Sequence, residues 1–195
     1  MRVMHPVSEV LQPVLGRTSW LVKRGYGSFI TMEYGEPHVD VREPRLRPPR
    51  IEGAPAQTLQ RSAFVHGEWH LWIYCCEWSL LLEDTQLAHS ESDDITMQRA
   101  LRVLNGQVLQ AVDIEPDDGR TRFTFDLGCS LLTCPAPPGI YASEPAGQWM
   151  LYSRSGPDLA VLTIRGDGTY GITDGHVKPE DKRWLPIATP LRVRE

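Results

Sequence analysis

Between Val65 and Leu82 the chain alternates with a period of two. Val65, Trp69, Leu71, Ile73 and Cys75 share one parity with Gly67, and His66, Glu68, His70, Trp72, Tyr74 and Cys76 share the other. Aromatic and β-branched residues suit a pleated surface, so the pattern predicts a strand that is half-exposed near His66 and buried on both faces further on. Fully extended, residues 65–82 would reach roughly 60 Å at ~3.3 Å each. A compact domain cannot hold such a strand unbroken, so a bend is expected near Cys76, Glu77 and Trp78. The other elements are expected to pack around this central strand.

Pro6 occupies a first helical position, and VSEVLQ predicts one or two helical turns that Pro13 and Gly16 stop. Residues 18–24, 28–34 and 38–42, separated by glycine turns, read as a three-strand meander. In the last of them Val39 and Val41 face one way, and His38, Asp40 and Arg42 the other. Pro44 to Gln60 has no period and is dense in proline, which predicts a long loop or linker. Met97, Ala100, Leu101 and Leu104 then recur at helical spacing. With Ser92 as cap, Asp93 and Asp94 at the positive end of the dipole and Asn105-Gly106 as the stop, the main helix is expected at about 93–104. Residues 108–114 and 120–126, around Glu115-Pro-Asp-Asp-Gly119, predict a hairpin, and 129–133 a third strand. Phe123, Phe125, Leu127, Cys129 and Leu131 carry the apolar parity there. A last meander is predicted over 149–153, 160–165 and 169–173. The tail to Glu195, with three prolines and Trp184, is expected to lie across the surface.

The expected fold class is therefore mainly β (α+β), with antiparallel meanders and one main helix. The 195 residues suffice for one domain, 1–195, with a subdivision into an N-terminal meander (1–43), a Pro/Arg-rich linker (44–60) and a main β unit (61–195). The 16 prolines and 16 glycines suit a turn-rich β protein. No apolar run approaches the ~18 residues of a membrane span. Cys75 and Cys76 are adjacent, and Cys129 and Cys134 are not spaced as a secreted framework, so free thiols and a cytoplasmic location are expected.

A net charge of −5 argues against general nucleic-acid binding, but the charges are uneven. From Glu83 to Asp118 the acids include Glu83, Asp84, Asp93, Asp94, Asp113, Glu115, Asp117 and Asp118, against only Arg99 and Arg102. They form a candidate acidic face for a protein partner. Arg42, Arg45, Arg47, Arg50 and Arg61 gather in and around the proline-rich segment and read as a solvated linker.

The sharpest metal candidate is His66, Glu68 and His70. On a strand these side chains share a face, but His66 and His70 lie roughly 13 Å apart at ~3.3 Å per residue, too far for one zinc without a bulge at Gly67 or a third ligand from elsewhere. Cys76 among Trp72, Tyr74 and Trp78 predicts a buried, inert thiol. Dinucleotide, phosphate-loop, nucleophile-elbow and calcium-loop signatures are absent. Catalytic residues stay unassigned, and the reading leans away from an enzyme.

Over residues 104–134, LNGQVLQAV and GRTRFTFDLGCSLLTC, the chain resembles small uncharacterised bacterial proteins of the immunity type. Gly106, Val108, Val112, Phe125, Gly128 and Leu131 carry the resemblance. It implies a protein that binds and neutralises a toxin, and an acidic face would suit a basic toxin; no family catalytic residue comes with it, and apart from a possible divalent metal no cofactor is predicted. Three roles follow as expectations. The first is a cytoplasmic, immunity-like binding protein. The second is a metal- or small-molecule-dependent enzyme near His66, Glu68 and His70, with a divalent metal as its cofactor. The third is a structural or assembly module docking through Trp69 or Trp72.

Overall fold

The period-two stretch serves two different sheets. A computed structural model describes residues 4–47, 57–137, 147–154, 159–175, 177 and 181–195. In chain order the elements are α1 (Pro6–Leu11), a single 3-10 turn (Gln12–Val14), β1 (Trp20–Arg24), β2 (Ile30–Tyr34), β3 (His38–Arg42), β4 (Arg45–Arg47), β5 (Gln57–Leu59), β6 (Ser62–His66), β7 (Trp69–Ile73), β8 (Cys76–Leu82) and β9 (Thr85–His89). They continue with α2 (Asp94–Leu104), β10 (Leu109–Ile114), β11 (Thr121–Phe125), β12 (Cys129–Pro135), β13 (Gly147–Ser153), β14 (Ala160–Arg165), β15 (Thr169–Asp174), β16 (Leu185–Pro186) and β17 (Leu191–Arg194). The protein is mainly β with antiparallel sheets. Among the described residues no helix is long and apolar enough to cross a membrane.

One sheet runs β1, β2, β7, β13, β14, β15, β16, and the other β17, β10, β11, β12, β8, β9. Alternation places a row of inward side chains on each. Ile30, Ile73, Trp149, Ile164 and Tyr170 lie side by side across five strands of the first sheet. Leu80, Leu131, Phe123, Val112 and Val193 do the same across five strands of the second. All ten are buried in one core, each apolar side chain worth about 1.5–3 kcal/mol on burial. The sheets meet where Phe123 and Trp149 stack edge to face at 5.3 Å. Buried Met97, Ala100, Leu101 and Leu104 of α2 extend that core, as their spacing predicted.

Several expectations need correction. The bend falls at Tyr74 and Cys75, just before the expected place, and there the chain leaves the first sheet for the second. Cys75 adopts φ 28°, rare for a residue with a side chain, and the crossing is tied down by Tyr74 N–H donating to the Gln148 carbonyl at 2.8 Å. Residues 38–42 do not complete a meander, because β7 occupies the place beside β2 and β3 pairs with β6 instead. Segment 44–60 has strands at both its ends, while 48–56 lie outside the described residues. Leu127 is 68% exposed, in the turn before β12. The tail returns as an edge strand: β17 pairs with β10 and buries Leu191 and Val193.

The helix cap also differs. Asp93, not Ser92, accepts from the backbone N–H groups of Ile95 and Thr96, both at 3.0 Å, while the Ser92 hydroxyl accepts from His89 N–H. Those bonds, led by that from the Thr96 hydroxyl, hold the Asp93 carboxyl below its ordinary range. Asp93→Ala is therefore expected to lower the thermal midpoint more than Ser92→Ala, since it frees two helix N–H groups where the serine change frees one N–H outside the helix. Parallel melts monitored by circular dichroism check the ranking.

Candidate functional site: a projecting ribbon and its root

The pairing register shows how one long hairpin is divided between the sheet and the solvent. Within the first sheet Glu33 pairs with His70 and Tyr34 with Trp69. The next pair along is His38 with His66, so four residues on one strand oppose three on the other. This one-residue bulge is where the hairpin leaves the sheet. Beyond it the register holds: Arg42 pairs with Ser62 and Arg45 with Leu59, three residues further along on each strand. Pro44, which has no N–H to give the ladder, falls in the break between the two short ladders. From His38 to Arg47 the ribbon extends roughly 30 Å at ~3.3 Å per residue.

The two faces of the ribbon differ. On one, His38 stacks on His66 at 5.7 Å, His66 Nε2 meets Asp40 at 3.2 Å, and the Arg42 guanidinium lies over the Phe64 ring at 4.3 Å. The other carries Val39, Val41, Ala63 and Val65, and the valines are 65%, 56% and 44% exposed. A two-stranded ribbon is marginal by itself in water, and this one displays an apolar strip and, among the described residues, no third strand on either edge.

Its root is built with more care. Gly35 takes φ 78°, and a Cβ on Gly67 would fall onto the Tyr34 carbonyl, so neither position accepts a side chain without displacement. The Glu33 side chain is 8% exposed. One oxygen accepts from Gly67 N–H at 3.0 Å and the other meets His70 Nδ1 at 2.6 Å. Burial would raise the Glu33 carboxyl, but the bonds from His70 and Gly67, with electrostatic attraction from the side chains of His70 and Arg154, outweigh it and leave the group below its ordinary range. Glu68 accepts from Glu36 N–H at 3.3 Å, and Trp20 Nε1 donates to the Gly35 carbonyl at 3.0 Å. An open groove of about 430 Å³ lies alongside, lined by Arg17, Trp20, Gly35 and Glu36 among others.

His66, Glu68 and His70 thus each have a different partner: Asp40, Glu36 N–H and Glu33 respectively. Among the described residues no group of three or more His, Cys, Asp or Glu is placed to hold a metal ion. The His70 and Glu33 pair holds an imidazole in a fixed orientation, with the Tyr152 ring 5.8 Å away. Phe29, Trp72 and Tyr74 form an aromatic cluster on the same outer face of the sheet, at 4.6 to 6.2 Å, while Trp69 and Trp78 are buried in the core. All four thiols are free, and burial pushes that of Cys76 far up.

The acidic residues are dispersed. Glu83 and Asp84 form the β8–β9 turn, whereas Asp117 and Asp118 sit in the β10–β11 turn at the opposite end of the second sheet, about 20 Å away along the strands. Asp94 is paired with Arg24, and Asp93 caps α2. Asp113 meets Arg194 at 2.6 Å and Arg192 at 3.5 Å, Glu115 meets Arg192 at 2.8 Å, and Asp118 meets Arg120 at 3.0 Å. The tail arginines Arg192 and Arg194, brought in by β17, neutralise acids that look unopposed in the sequence. Glu83, Asp84 and Asp117 remain exposed. Compared with family models, with curated proteins and with solved structures, the chain matches none.

Proposed function

We propose that this chain is a cytoplasmic binding protein that grips a protein partner with the ribbon β3–β6 and β4–β5. The observation that carries the reading is the strip of Val39, Val41 and Val65 held in water on a ribbon whose root is pinned by a buried carboxylate. Open strand edges offer main-chain pairing to an incoming segment, and the valines offer the apolar contact that makes such pairing favourable. The four free thiols support the cytoplasmic placement. An immunity-like role is one form of this reading, in which the partner is a toxin. The acids then contribute charge at separate places, and the ribbon supplies the grip.

Capture from host-cell extract tests it with two sets of variants. Val39→Glu with Val41→Glu is expected to abolish recovery of the bound protein, while reversal of Asp93, Asp94, Asp117 and Asp118 to lysine weakens it only modestly. Recovery that survives the valine changes and is lost with the charge reversals would hand the role to the acidic residues. Both valines are exposed, so the folded fraction serves as the internal control and should not change.

A further inference from the structure

Resting on the reading of the ribbon as a binding arm, we infer that His66 is a proton-operated clasp, which fastens the arm to its root while the imidazole is charged and loosens it when the charge is lost. His66 ends β6 where the ribbon meets the sheet, and its side chain is only 12% exposed. Both of its ring nitrogens face oxygens. Nδ1 lies 2.9 Å from the Gly67 carbonyl, and Nε2 lies 3.2 Å from the Asp40 carboxylate. A carbonyl and an ionised carboxylate only accept, a neutral imidazole has one N–H to give, and an imidazolium has two. Charged, the ring therefore ties β3, through Asp40, to the Gly67 peptide at the root. Neutral, it keeps a proton for one oxygen and turns a lone pair on the other.

The surrounding groups put the proton on this ring. Of the stacked rings His38 and His66, 5.7 Å apart, only His66 meets a carboxylate among the described residues, so a single proton on the pair is best placed there. Arg42, on the same face, is held over the Phe64 ring at 4.3 Å. The other carboxylates nearby are engaged: Glu43 by Arg61 at 2.7 Å, Glu68 by Glu36 N–H, and Glu33 by His70 and Gly67 N–H. His70 donates to Glu33 from Nδ1 whether or not its other nitrogen carries a proton, so that contact does not need the charge. Histidine changes charge between about pH 5 and 8, and the clasp loosens as pH rises through that interval. Glu33 acts in the opposite direction, its support fading only in stronger acid. The arm is then best ordered in mildly acidic solution, between the two.

The test is hydrogen exchange of the full chain at about pH 5.5 and about pH 8, read as protection relative to β13. Cross-strand amides of β3 and β6 should lose about threefold in protection toward the higher pH, the worth of one modest hydrogen bond. Asp40→Asn gives Nε2 an amide donor that needs no charge on the ring, so the pH response should vanish in that variant. His38→Asn should keep it. Ribbon protection indifferent to pH overturns the inference, as does a response that survives Asp40→Asn or disappears with His38→Asn. Extract capture separates the readings. The expected response, with capture that ignores Val39 and Val41, keeps the clasp and removes the binding arm. Capture that depends on the valines, with protection indifferent to pH, keeps the arm and removes the clasp.

Discussion

Replacing Trp149 with alanine is expected to cost about 3–5 kcal/mol, the largest loss of any single truncation in this core. The residue is fully buried on β13, the fourth of seven strands, and it bridges the two sheets. Its ring packs edge to face on Phe123, and its Nε1–H donates to the Thr121 hydroxyl at 2.9 Å. Alanine removes that bridge and leaves a cavity lined by rigid strands on both sides, which collapse poorly. Trp149→Phe keeps most of the volume and should lose only about 1–2 kcal/mol. Thr121→Val leaves the indole N–H buried without an acceptor and should cost about 1–3 kcal/mol. In the double variant Trp149→Phe with Thr121→Val that orphan donor is gone, so the two losses should sum to less than their parts. Urea midpoints at constant slope measure all four. An alanine loss near 1 kcal/mol would mean that the sheets do not meet at this residue.

Features written locally were legible in the sequence. The hairpin around Glu115 to Gly119, the turn at Asp167-Gly168 and the apolar face of α2 each depend on residues a few positions apart, and all stand where their patterns put them. Alternation fixes which side chains share a face but says nothing about which strand comes next. Val39 and Val41 have the alternation of a half-buried strand, yet their face meets water, because β2 pairs on that side with β7. Leu191-Arg-Val-Arg194 is too short after Pro190 to show a period, and its place is fixed by β10, far away in sequence. Glu33 gave no signal either. Between Met32 and Tyr34 it reads as the solvent-facing member of an alternating strand, and its partner His70 arrives from 37 residues downstream. Alternation marks strands but not this site for the same physical reason: the site joins groups that only strand pairing brings together.

That junction sets the second large effect. Glu33→Ala is expected to cost about 2–4 kcal/mol, because it leaves Gly67 N–H and the His70 imidazole unpaired at a buried corner. The loss should be uneven. Gly67 begins the connection from β6 to β7, so amides of residues 62–67 should lose hydrogen-exchange protection first, while those of β13 fall only with global stability. The same carboxylate predicts a pH dependence of known sign. Its proton leaves more easily in the folded protein than in the unfolded chain, so its stabilising contribution is complete above the unfolded glutamate value of about 4.3 and fades as pH falls through the lower folded value. Glu33→Gln, which keeps the shape and an acceptor for Gly67, should lie between wild type and Glu33→Ala at neutral pH. It should also flatten the part of the acid limb that this group supplies. Equal protection losses in β6 and β13 would show that Glu33 merely supports the core. Selective loss in β6 would show that one buried carboxylate governs how firmly the arm is held, and would couple the arm's order, and with it binding, to acid.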